Sequence, residues 1–145
     1  MKIINGLLDY TQKWNLPDLY LFTGNPIINA RGGIVMGRGA AKQVRDYYPN
    51  IDIKFAKAPG ESIKWVMITP TQLIGWIKVK HHWAEDANLD LILYSFSKLN
   101  ELAKENPKFR FHCNYPGIGN GKLSYNKVDN ILKSINIIDS IILYK

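Results

Sequence analysis

The chain has 145 residues, 46% of them hydrophobic and 21% charged, with a formal net charge of +7 and a pI near 9.5. One domain of this length buries roughly two-thirds of its unfolded surface and needs no covalent staple, and a lone cysteine, Cys113, excludes an internal disulfide. Zinc-like Cys/His spacing, an 18-residue apolar run and a secretion signal are all missing, which argues against a metal site, a cofactor-held core or a membrane partner and for a soluble cytoplasmic protein.

In chain order, β-rich apolar runs at Lys2 to Ile4, Leu19 to Thr23, Ile63 to Thr69, Leu73 to Val79, Phe109 to Asn114 and Ile137 to Tyr144 are expected strands. Helical spacing is found at Gly39 to Tyr48, Asn88 to Glu105 and Ser124 to Ile135, the first two ending just before Pro49 and shortly before Pro107. In the second helix Leu89, Ile92, Leu93, Phe96 and Leu99 share a face. This alternation predicts an α/β domain spanning 1–145, with a mostly parallel sheet and helices on both faces. No repeat, linker or low-complexity tract divides it. Ligands of such folds sit beyond the carboxyl ends of the strands.

Two glycine-rich stretches fall at that kind of position. The first, Gly32-Gly33-Ile34-Val35-Met36-Gly37-Arg38-Gly39-Ala40-Ala41-Lys42, leads into a helix, where bare backbone N–H groups and the helix start favour a phosphate. The second, Tyr115-Pro116-Gly117-Ile118-Gly119-Asn120-Gly121-Lys122, joins a strand to the helix opened by Ser124. Either run alone also reads as a tight turn. Together they could grip a diphosphate from two sides. Neither has the spacing of a Walker loop or a dinucleotide-binding fingerprint.

With Thr23-Gly24-Asn25, Val35 to Gln43, Lys80-His81-His82-Trp83 and Pro116 to Tyr125 in this order, the chain resembles the macro domain superfamily. Within it, the similarity is to the branch of DNA ADP-ribosyl glycohydrolase antitoxins, terminal ADP-ribose protein glycohydrolases and small phage-encoded macro proteins. The resemblance implies a three-layer α/β/α fold with a mixed, mostly parallel central sheet and ADP-ribose lying across its top. It places Val35, Met36, Gly37, Arg38 and Gly39 on one phosphate and the proximal ribose. Pro116, Gly117, Ile118, Gly119, Asn120 and Gly121 would wrap the other phosphate and the distal ribose. Asn25 would reach the distal ribose, or serve only as a turn residue before Pro26. Asn29 is a second candidate for that contact.

In that branch a lysine just before His-Trp is catalytic, and Lys80 falls on its position. A deprotonated lysine can attack an anomeric carbon, and burial or a cationic neighbour, with Lys78 and His81 near in sequence, would lower its pKa. The alternative reading is a solvated lysine at a strand end. His82 and Trp83 are expected to pack and orient the loop. The chain departs from the family's pattern at three places. Leu7 replaces the acid that contacts adenine, leaving that role to Asp9 or to backbone; Lys122-Leu123-Ser124-Tyr125 loses a loop carboxylate, although Ser124 can still cap a helix; and Lys78-Val79 replaces Pro-Thr.

Three functions follow from this reading. One is a hydrolase that frees ADP-ribose from the nucleobases of ADP-ribosylated DNA or from protein. The second is a reader or sponge that sequesters an ADP-ribose-type signal of antiphage defence. The third is a basic nucleic-acid-binding protein that uses its surface lysines and stacks bases on Trp65, Trp76 and Trp83, which otherwise read as packing residues.

Overall fold

Strand alternation sends Leu19 and Leu21 into one hydrophobic cluster and Tyr20 and Phe22 into another, so the sheet must be covered on both faces. The computed structural model describes residues 1–145 and shows how this is done. Strands β1 (Lys2–Ile4), β2 (Asp18–Gly24), β3 (Ile63–Thr69), β4 (Gln72–Lys78), β5 (Arg110–Asn114) and β6 (Ile141–Tyr144) form one six-stranded sheet in the order β1-β6-β5-β2-β4-β3. Only β3 runs antiparallel to its neighbour. The sheet is therefore mixed and mostly parallel. Helices α1 (Gly39–Tyr47) and α2 (Ile51–Lys57) supply Val44, Ile51 and Phe55 to the cluster containing Phe22 and Trp76. Helices α3 (Leu89–Glu105) and α4 (Tyr125–Ile135) supply Phe96, Leu99 and Leu132 to the cluster containing Leu21 and Phe111.

Helix α3 is opened by Asn88, whose side chain accepts from Leu91 N, and α4 by Ser124, which accepts from Lys127 N as expected. The face of α3 differs in one residue from its predicted one. Leu93 turns outward at 37% exposure, because the flanks of the buried Ile92-Phe96-Leu99-Ala103 stripe are taken by two polar residues with partners. Ser95 Oγ donates to Lys78 O at 2.7 Å. Asn100 accepts from Ile138 N at 3.0 Å and donates to Asn136 O at 3.3 Å, tying α3 to the connection before β6. That connection is not strand: Asn136 adopts φ 56 at the end of α4, and only Ile141–Tyr144 of the predicted 137–144 run joins the sheet. Helix α2 is absent from the sequence expectation. It has seven residues and follows Asn50 at φ 60 with no side-chain cap, so it lacks the start signal of a longer helix.

One ion pair anchors the segment between β2 and α1 to α2. Arg31 donates through Nε to Asp52 Oδ2 (3.0 Å) and through Nη2 to Asp52 Oδ1 (2.9 Å), and the Asp52 side chain is only 3% exposed. Gly33 packs so closely on this carboxylate that a Cβ there would collide with it. The guanidinium holds the Asp52 carboxyl below its ordinary value. A depressed carboxylate pKa contributes stability that is present above about pH 4 and is lost as pH falls through the folded-state value. Arg31→Ala is expected to lower the thermal midpoint by a few degrees at pH 7, because it leaves a buried charge unpaired. The gap to wild type should narrow below pH 4, as followed by thermal melts across pH.

Candidate functional site

The ladder between β2 and β5 ends at Leu21↔Cys113, whereas β2 remains paired with β4 as far as Gly24↔Lys78. Beyond Cys113 the two strands splay apart. A cleft of about 530 Å³ opens over the fork, between the segments that follow them. At this size it lies within the usual range of small-ligand sites.

Thr23 and Asn114 lie side by side at the fork, and both line the cleft. Thr23 N donates to Asn114 Oδ1 at 3.0 Å, and Asn114 Nδ2 donates to Thr23 Oγ1 at 2.8 Å. One wall is the first glycine stretch and the start of α1. Arg38 is the N-cap and provides no side-chain cap; the first helical bond runs from Lys42 N to Arg38 O at 3.2 Å. The N–H groups of Gly39, Ala40 and Ala41 are consequently free at a helix start facing the cleft, a favourable setting for an anion. Asn25 is 7% exposed and holds this wall together, donating to Val35 O at 3.2 Å and accepting from Ile27 N at 3.0 Å. Its turn role is thus observed, at a position that still borders the cleft. Asn29 stands off the cleft and accepts from Arg31 N and Gly33 N, closing the loop from outside.

The opposite wall is the second glycine stretch, which ends in a 3₁₀ turn at Gly119–Gly121. Gly117 has φ 80, and a Cβ there would meet Ile92 Cδ1 at 2.8 Å, so both conformation and packing call for glycine. Ala87 N donates to Gly121 O at 2.9 Å, joining this wall to the segment after β4. That segment carries Lys80, whose Nζ crosses to donate to Asn120 O at 3.2 Å. Partial burial lowers the Lys80 pKa, and the positive charges of Arg38 and Lys122 lower it further, opposed by Asp86. The cationic neighbours expected from sequence, Lys78 and His81, are not the ones that act: Lys80 meets cations from the two opposing glycine stretches.

Most of the residues expected at the site do converge. Lys80, Asn25, Val35, Gly37, Arg38 and Gly39 line the cleft from one side and below, and Gly117, Ile118, Asn120 and Gly121 from the other. Met36, Pro116 and Gly119 do not. Met36 is 2% exposed and packs in the core with Val44, Pro116 is buried, and Gly119 sits exposed outside the cleft. Asp9 and Leu7 both stand away from the cleft: Asp9 Oδ1 accepts from Thr11 N and Oγ1, and Leu7 is 84% exposed. His82 Nδ1 accepts from Ala84 N and its ring packs 5.0 Å from that of Trp83, which stands at the cleft rim. Trp76 is fully buried and Trp65 packs against the core, so only Trp83 is placed to stack on a ligand. Sequence reading passed over Thr23, Asn114, Asp86 and Lys122 as site residues. The signal of Thr23, Asn114 and Lys122 is positional, each lying at a strand end or beside a predicted ligand contact, whereas Asp86, within the connection between β4 and α3, carries none.

The mixed sheet, its two helical layers and a cleft between glycine loops at the strand ends define a macrodomain fold. The macrodomain of Mycobacterium tuberculosis DarG superposes with a TM-score of 0.71 at 22% identity, covering 98% of this chain and 96% of that one. The macrodomain of Thermus aquaticus DarG gives a TM-score of 0.71 at 18% identity, covering 99% and 95% of the two chains. Thermosipho africanus DarTG, in complex with ADP-ribose, gives 0.65 at 17% identity over 86% of this chain and 37% of that one. No family model matches the sequence, nor does any curated protein.

Proposed function

We propose that the cleft binds ADP-ribose or a closely related nucleotide, with the diphosphate held between Val35 to Gly39 and Gly117 to Gly121. The observation that carries this reading is the confrontation of the two glycine walls across one cleft, with the free N–H groups of α1 on one side and Arg38, Lys80 and Lys122 around it. The similarly folded Thermosipho africanus protein in complex with ADP-ribose supports the choice of ligand. Calorimetry with ADP-ribose tests it: saturable binding is expected, and binding of DNA alone would replace this reading with the nucleic-acid one.

Whether the bound ligand is also cleaved turns on Lys80. Its lowered pKa and its place within the cleft favour a hydrolase acting on ADP-ribosylated DNA or protein, whereas its hydrogen bond to Asn120 O equally suits a lysine that closes a binding site. Incubation with ADP-ribosylated DNA and protein separates a hydrolase from a reader or sponge, which binds without turnover.

Discrimination of the base is expected to be weak. Leu7 carries no hydrogen-bond acceptor and Asp9 stands outside the cleft, so neither side chain is placed to accept a hydrogen bond from the adenine amino group. A site without the matching polar partner discriminates poorly. Competition between ADP-ribose and its hypoxanthine analogue should show less than about a tenfold preference, equivalent to 1.4 kcal/mol; a larger preference for adenine would contradict this.

A further inference from the structure

The fork between β2 and β5 contains an arrangement that assigns a ligand contact to a residue outside both glycine walls. We infer that the Thr23 hydroxyl is held as a hydrogen-bond donor to an oxygen of the bound diphosphate, with Asn114 as the residue that sets its polarity. The inference rests on the cleft being a nucleotide site.

The argument starts from a backbone amide. Thr23 N–H can only donate, so the Asn114 atom 3.0 Å from it is the carbonyl Oδ1, and the amide orientation follows. The Asn114 nitrogen must then face Thr23 Oγ1 at 2.8 Å, and because that nitrogen can only donate, Oγ1 must accept. A hydroxyl that accepts from one partner keeps its own proton for another. No protein group accepts it: Thr23 Oγ1 makes no bond other than that with Asn114. Thr23 and Asn114 both border the cleft where β2 and β5 part, in the same lining as the two walls assigned to the phosphates. The Asn114 amide is itself fully committed, since its second N–H points to Tyr115 O at 3.5 Å. It therefore positions the hydroxyl, while Thr23 is the group that touches the ligand.

The substitution Asn114→Asp reverses this polarity. A carboxylate still accepts from Thr23 N but has no N–H to offer, so it takes the Thr23 hydroxyl proton and turns it away from the cleft. Thr23→Val keeps the shape and removes the hydroxyl. Affinity for ADP-ribose and for ADP, read by calorimetry, is expected to fall roughly ten- to a hundredfold in Thr23→Val, the size of one hydrogen bond to a charged group, and to stay within about twofold of wild type in Thr23→Ser. In the Asn114→Asp background, Thr23→Val should cost nothing further, because the hydroxyl is already withdrawn; a cycle of this kind isolates the coupling from the added charge. Equal losses from Thr23→Val in both backgrounds would overturn the role of Asn114. An unchanged affinity of Thr23→Val for a wild type that does bind would overturn the contact, and a loss seen with ADP-ribose but not with ADP would move it off the diphosphate. A wild type that binds neither nucleotide would overturn the nucleotide reading itself, and this inference with it.

Discussion

Gly37→Glu is expected to abolish ADP-ribose binding while the protein remains folded. Gly37 borders the cleft, its φ lies outside the left-handed region, and a Cβ built on it meets nothing within 4 Å. A side chain is thus tolerated by the backbone and the packing alike, which is untrue of Gly117 or Gly121, where a Cβ would meet Ile92 or Ala87. The introduced carboxylate would stand beside the free N–H groups at the start of α1, occupying the anion's place and repelling it. A loss of at least about a hundredfold in calorimetry, or some 2.7 kcal/mol, with an unchanged circular dichroism spectrum, is the expected result. Undiminished affinity in the folded variant would remove the diphosphate from this wall.

Lys80→Ala has the other large expected effect, and it is on turnover. If ADP-ribosylated DNA or protein is a substrate, Lys80 is the nucleophile or the group that stabilises the anomeric centre, for Glu85 and Asp86 are the only carboxylates bordering the cleft and they lie on the same segment, at its rim. Removing a group that acts mainly in the transition state should lower kcat by at least about a hundredfold while ADP-ribose affinity stays within a few-fold. The pH profile has a determined sign. Burial, Arg38 and Lys122 all favour the neutral amine, so the pKa lies below that of a free lysine, and turnover should increase as pH rises through it. Single-turnover assays between pH 6 and pH 10 would check this, and hydrolysis that persists in Lys80→Ala would exclude the lysine.

Much of the scaffold was legible in the sequence because its signals are local. Strands at Leu19 to Thr23 and Ile63 to Thr69 alternate or run apolar, the helix from Asn88 is marked by its apolar spacing, and the one opened by Ser124 by its cap. The glycine stretches were legible for the same reason. What escaped depends on contacts between distant residues. The inward turn of Met36 is decided by the core around Val44, and the cations near Lys80 come from residues about forty positions away on either side rather than from its sequence neighbours. The pairing of Thr23 with Asn114 spans 91 positions and exists only because β5 lies next to β2. Periodicity carries no information on such proximities.

The two walls of the cleft belong to different halves of the molecule. The Arg31–Asp52 pair and the start of α1 tie the first to the hydrophobic layer beneath α1 and α2, while the contacts of Gly117 with Ile92 and of Gly121 with Ala87 tie the second to the layer beneath α3. A ligand that bridges them would act as a strut between the two layers, in addition to the sheet that both layers cover. Occupancy then resists the separation of the two halves during unfolding, and the free energy gained grows with the logarithm of ligand concentration over Kd. The melting temperature of this protein is accordingly a direct reporter of what fills the cleft, and a panel of nucleotides can be ranked by it before any reaction is known.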